Sequence, residues 1–167
     1  MVYPIGAKNL LRKGTVIIMK YLIVCIGNRD GGDDAVGPYI ADQLQLVKRE
    51  DLAVLDVGIA PENYTGPIKK VNPDNLLIVD AVDMQLTPGD IRIVPPENIG
   101  VMHVSTHGIP LPIFVNYLRQ YITSITIIGI QPETMNGTIT PAVKQSADTL
   151  IDIILSEKIS TIPLFET

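Results

Sequence analysis

Apolar residues along this chain come in short, β-branched runs separated by polar, glycine-bearing segments, and the runs alternate with stretches whose apolar positions recur at helical spacing. Lys20-Tyr-Leu-Ile-Val-Cys-Ile26 is the first strand-like run, stopped by Gly27-Asn28. Leu52 to Asp56 is the second, and Leu76-Leu-Ile-Val-Asp-Ala-Val82 is the third and most continuous. After Pro88-Gly89, the alternation from Asp90 to Val94 predicts a short edge strand, and Ile125 to Ile130 predicts a fifth strand ending at Gln131-Pro132. Ile40, Ala41, Leu44 and Val47 predict a helix whose first turn accepts Pro38. A short, weak helical stretch follows Asn63, with Gly66-Pro67 expected to interrupt it. Residues 95 to 108 read as loop, Pro110 to Tyr121 as helix, and Pro141 to Glu157 as a long helix with Val143, Ala147, Leu150, Ile151 and Ile154 on one face.

Nearly continuous apolar strands alternating with helices must be covered on both faces. The expected fold is therefore a three-layer α/β/α sandwich around a five-stranded, mostly parallel twisted sheet with one antiparallel edge strand. Right-handed crossovers bring the loops after the parallel strands to one rim, where ligands bind at the point of reversed winding. The polar residues follow that rule. Asp30, Asp33 and Asp34 follow the first strand, Asp56, Glu62 and Asn63 end or follow the second, Asp80 and Asp83 end the third, and Gln131 follows the fifth. No internal repeat or linker divides the chain, so residues 19–167 are expected to form one domain. Residues 1–18 form an extension of unassigned role, and Met19 is an alternative start.

The chain has 167 residues and a net charge of −5, with hydrophobicity supplied by aliphatic side chains, since aromatics are 5% and tryptophan is absent. A net-acidic chain without a basic cluster is poorly suited to a phosphate backbone, which excludes nucleic acid as a partner. The longest apolar stretch, Val16 to Ile26, contains Lys20 and is too short for a bilayer span, so no membrane insertion is expected. The single cysteine, Cys25, allows no intrachain disulfide and reads as a buried small hydrophobe. With no secretion signal evident, a reducing cytoplasm is the expected location. The extension carries three basic residues and no acid, leaving −8 on residues 19–167. Seven of their acids belong to the predicted rim, a concentrated field for a cation.

The glycine-rich loop Gly27 to Gly37 resembles a phosphate cradle only superficially. It lacks a Gly-Lys-Ser/Thr ending and the G-x-G-x-x-G spacing, and its three aspartates repel phosphate. Of Asp33 and Asp34, one is expected to cap a helix and the other to face a ligand. Asp80 ends an apolar strand, where a carboxylate must be hydrogen-bonded, solvated or paired with a metal. If the first and third strands are neighbours, Asp34 and Asp80 meet at the switch point. Of the two histidines, His103 reads as structural or exposed, whereas His107 in Ser105-Thr106-His107-Gly108 precedes a helix and can aim into the rim. Two carboxylates and one imidazole suit nickel, zinc, manganese or a related divalent ion. Ser105 or Ser124 as a hydrolase nucleophile finds no G-x-S-x-G elbow in support.

Gly27-Asn28, Gly32-Asp-Asp-Ala-Val-Gly37, Asp56-Val-Gly-Ile-Ala-Pro-Glu-Asn63, Leu77-Ile-Val-Asp-Ala-Val-Asp83, Pro88-Gly89, Ser105-Thr-His107 and Gly129-Ile-Gln-Pro132 occur in an order and spacing that resemble the NiFe-hydrogenase maturation proteases. The likeness runs from about Lys20 to the final long helix. It implies an endopeptidase, grouped with the aspartic peptidases, that removes a C-terminal extension from a hydrogenase large-subunit precursor after nickel insertion. The nickel is then supplied by the substrate precursor, with no organic cofactor. Carried over residue by residue, the metal-binding and catalytic positions fall on Asp34, Asp80 and His107. Substrate recognition falls on Asp56 and Gly58, with Asn28 beside them. Asp30, Val57 and Gly66-Pro67 depart from the family pattern. Three rival readings remain: a non-proteolytic nickel carrier or chaperone for hydrogenase assembly, a flavodoxin-like nucleotide-binding module at the same rim, and a general metallopeptidase that would cleave unrelated peptides.

Overall fold

The most continuous apolar run of the sequence becomes the middle of the sheet, because a strand covered on both faces favours apolar side chains. The computed structural model describes residues 10–12, 15–17, 19–101, 103–104 and 108–166. Strands β1 (Leu10–Arg12) and β2 (Thr15–Ile17) pair antiparallel as a separate hairpin. The main sheet contains β3 (Tyr21–Ile26), β4 (Leu52–Gly58), β5 (Asn75–Asp83), β6 (Ile91–Ile93) and β8 (Ile125–Ile130), in the order β4-β3-β5-β8-β6. Strands β4, β3, β5 and β8 run parallel and β6 is antiparallel, as the sequence pattern predicts. A two-residue strand, β7 (His103–Val104), pairs antiparallel with the end of β5.

Period-two alternation explains the two cores. Ile23 and Cys25 of β3 point to one face with Leu77 and Val79 of β5, under α1 (Val36–Leu44) and α4 (Pro141–Leu155). Leu22, Val24 and Ile26 point to the other with Leu76 and Ile78, under α2 (Thr65–Val71) and α3 (Leu111–Leu118). Each fully buried Leu or Ile contributes on the order of 1.5–3 kcal/mol of transfer free energy. Cys25 is fully buried, and desolvation pushes its thiol well above the ordinary cysteine range, leaving it a small apolar filler.

Three expectations need correction. Gly66-Pro67 does not interrupt a helix; both lie in the first turn of α2, where a missing N–H costs nothing because those groups have no intrahelical acceptor. The first helix stops at Leu44, and Val47 is 38% exposed beyond it, since the Leu46 and Val47 N–H groups reach back only three residues, to the Gln43 and Leu44 carbonyls, in a turn that takes Val47 off the apolar face. Residues 95 to 108 are not all loop: a 3-10 turn spans Pro96–Val101, and β7 follows.

Candidate functional site

The chain lays β4 on one side of β3 and then crosses to place β5 on the other, so winding reverses between β3 and β5. Ligands in open α/β sheets bind outside the carboxyl ends at such a point. Gly27 opens the loop there. Its φ of +150° and its contact with the Asp34 carbonyl, 1.9 Å from where a Cβ would stand, leave no room for a side chain. The loop then folds into a 3-10 turn, Gly32–Ala35, that runs into α1 and packs on β5.

Asp33 and Asp34 occupy that turn and diverge completely. Asp33 is fully buried, and its carboxylate accepts from the backbone N–H groups of Glu133, Thr134 and Thr140 at 2.8, 3.0 and 2.6 Å and from the Thr140 hydroxyl at 3.1 Å. It therefore laces the loop between β8 and α4 to the rim. Neither aspartate caps its own helix, which corrects that expectation: the N–H groups in reach of Asp33 belong to a segment a hundred residues away. Asp34, 5% exposed, accepts from the Asn28 N–H through Oδ2 at 2.9 Å, while its buried Oδ1 has no hydrogen-bond partner among the described residues. Such an orphan acceptor is costly, about 1–3 kcal/mol, and native folds keep few of them. Asp80 is fully buried in β5, the strand against which the turn packs.

His107 lies outside the described residues. Its neighbour Gly108 donates its N–H to the Ile59 carbonyl at 3.1 Å, which ties Gly108 to the loop after β4. A Cβ on Gly108 would stand 2.2 Å from Glu62 Oε1, so only glycine fits without displacing that carboxylate. Glu62 Oε2 is the other buried side-chain polar atom without a partner among the described residues. Both orphan oxygens thus belong to loops at the carboxyl ends of parallel strands. Among the described residues, no group of three His, Cys, Asp or Glu side chains is arranged to hold a metal ion.

The remaining expected site residues have local roles. Asp56 accepts from the Gly58 N–H at 3.0 Å through Oδ1 and from the Arg29 guanidinium at 2.6 Å through Oδ2. Gly58, at φ +57°, has open space where a side chain would stand. Asn28 is exposed and accepts from the Asp30 N–H at 3.0 Å. Sequence reasoning passed over Arg29, which also grips Asp42, and it placed Gln131 at the rim without a role. Gln131 Oε1 accepts from the N–H groups of Met84 and Leu86, bracing the turn after β5. Long-range partners of this kind leave no local signature in a sequence. Exposed Ile59 (51%) and Met135 (39%) lie in the loops after β4 and β8, on either side of the acids.

Among the described residues, no helix is long and apolar enough to cross a membrane. A model of the hydrogenase maturation protease family matches residues 38–157. The hydrogenase 3 maturation protease of Escherichia coli K12 is 40% identical over 116 residues, covering 69% of this chain and 74% of that protein. A crystal structure of a hydrogenase 3 maturation protease superposes with a TM-score of 0.81 at 31% identity, over 89% of this chain and 98% of the other. The NiFe-hydrogenase maturation protease HycI of Thermococcus kodakarensis superposes at 0.74 with 34% identity, over 83% and 91% of the two chains. Sequence, fold and the acid-lined switch point thus converge, and the chain belongs to the hydrogenase maturation protease family, whose chemistry is hydrolysis of a peptide bond.

Proposed function

We propose that this protein is the endopeptidase that removes the C-terminal extension of a NiFe-hydrogenase large-subunit precursor once nickel is in place, and that it reads the metal through Asp34, Asp80 and His107. The observation that carries this reading is the buried Asp34 Oδ1, held at the switch point without a partner among the described residues. The nickel belongs to the substrate. Precursor thiolates hold it strongly, and an oxygen-rich protein site engages it loosely enough to release product. Hydrolysis needs a water, an acceptor for its proton and positive charge at the carbonyl oxygen. The acid pair offers the acceptor, in keeping with an aspartic-type grouping, and the nickel offers the charge. Asp56, Gly58 and Asn28 flank the approach, and Ile59 and Met135 offer apolar contact to the docking precursor.

Incubating the protein with its cognate precursor, with and without nickel, and weighing the products by mass spectrometry tests the proposal. Cleavage is expected with nickel alone. Equal cleavage in both samples overturns metal recognition, and an unchanged precursor mass in both supports the carrier reading. Alanine at Asp34, Asp80 or His107 is expected to abolish processing in a folded protein.

A further inference from the structure

Arg29 sits between Asn28 and Asp30 in the loop after β3, and its guanidinium joins three elements. Nη1 and Nη2 donate to the two carboxylate oxygens of Asp42 on α1 at 2.8 and 2.9 Å, and Nη2 donates to Asp56 Oδ2 on β4 at 2.6 Å. The planar fork fixes angle as well as distance, which a lysine cannot do. Arg29 in turn holds the Asp42 carboxyl below its ordinary range. The residue before Arg29 is the one whose N–H holds Asp34 Oδ2, and Asn28 Oδ1 in turn accepts from Asp30, so the chain is tied on both sides of the arginine. A backbone N–H can hold a carboxylate in one orientation only if the loop carrying it is itself fixed. The Arg29 side chain is 55% exposed, so these ion pairs add little to global stability. Their consequence is geometric.

Building on the function proposed above, we propose that Arg29 is a positioning residue for the cleavage. By clamping the loop to Asp42 and Asp56, it fixes the Asn28 N–H against Asp34 Oδ2 and so presents Asp34 Oδ1 to the precursor. The Asp56 carboxylate thereby belongs to the frame of the site, occupied from within by Arg29 and the Gly58 N–H.

The test uses the full chain, nickel-loaded precursor and amide hydrogen exchange at Asn28. Arg29→Ala is expected to lower kcat/KM about ten- to a hundredfold, as loss of an outer partner of a functional ligand does, with the melting temperature held. The Asn28 amide is expected to lose protection. Arg29→Lys should recover only part of the rate, and Asp42→Ala, which breaks the clamp from α1, should reproduce the loss. The Arg29→Ala/Asp42→Ala double variant should be no slower than either single one. Cleavage at the parental rate by Arg29→Ala or Asp42→Ala overturns the proposal, as does a slow variant whose Asn28 amide stays protected. Asp34→Asn separates the two claims. If it cleaves at the parental rate, the site itself is wrong; if it is inactive while Arg29→Ala is not, the clamp alone is wrong.

Discussion

The two ends of the parallel sheet use the same kinds of charged residue to opposite effect. At the amino end, Arg49 pairs with Asp51 and Glu157, and Lys20 also reaches Glu157, closing a network between the starts of β3 and β4 and the end of α4. Every one of those acids faces a base. At the carboxyl end, acids gather around the switch point, and two buried carboxylate oxygens, Asp34 Oδ1 and Glu62 Oε2, have no donor among the described residues. A fold gains nothing from an unpaired buried acceptor, whereas a site that receives a cation or a donor from a partner requires one. On the function proposed above, the difference separates an end built for stability from one built for chemistry, although composition alone gives both ends the same vocabulary.

The sharpest way to break this contrast is Asp34→Asn. It is expected to slow precursor cleavage by about a thousandfold, equivalent to roughly 4 kcal/mol of barrier. The melting temperature should hold or rise, because a buried carboxylate with one oxygen left without a donor among the described residues has been replaced by a neutral group. A parallel loss of stability and activity would show that Asp34 is part of the scaffold.

Asp33→Ala reverses the prediction at the adjacent position. Three backbone N–H groups lose their acceptor, and a loss of about 3 kcal/mol is expected in urea denaturation. If stability is unchanged, the lacing of the loop before α4 is not what holds the rim.

At the other end, Arg49→Ala should cost about 1 kcal/mol or less and leave cleavage rates unaltered, because its partners are partly solvated. A clear drop in kcat would dissolve the division between the two ends.

The smallest effect is one of pH. Arg49 holds the Asp51 carboxyl below its ordinary range, and Lys20, then Arg49, hold Glu157 below its own. A lowered folded-state value means that the unfolded chain binds the proton more readily, so the contribution is present at neutral pH. It is lost as pH falls below about 4. Thermal melts of the parent and of Arg49→Ala should therefore converge in acid, and a gap that widens in acid would contradict the pairing.

Much of the fold was legible because period-two and helical spacing are local signals. The strands of the main sheet, their shared carboxyl edge and the antiparallel edge strand all follow from apolar runs and crossover handedness. The errors came where local chemistry permits two outcomes. Pro67 breaks a helix interior but is harmless in a first turn, and nothing in Tyr64-Thr-Gly-Pro67 says which turn it occupies. The partner of Asp56 was equally hidden, because Arg29 lies 27 positions earlier and meets it only in the folded chain.

By itself the sequence determined the layers, the switch point and the gathering of acids on one rim, since alternation along each strand and the position of each acid after its strand are properties of the chain. Only the tertiary structure decided what adjacent, chemically identical Asp33 and Asp34 do. Asp33 meets the N–H groups of Glu133, Thr134 and Thr140, and Asp34 meets one N–H and keeps an oxygen without a donor among the described residues. A carboxylate's role is set by the donors around it, and those donors arrive from a segment a hundred residues away only when the chain has folded.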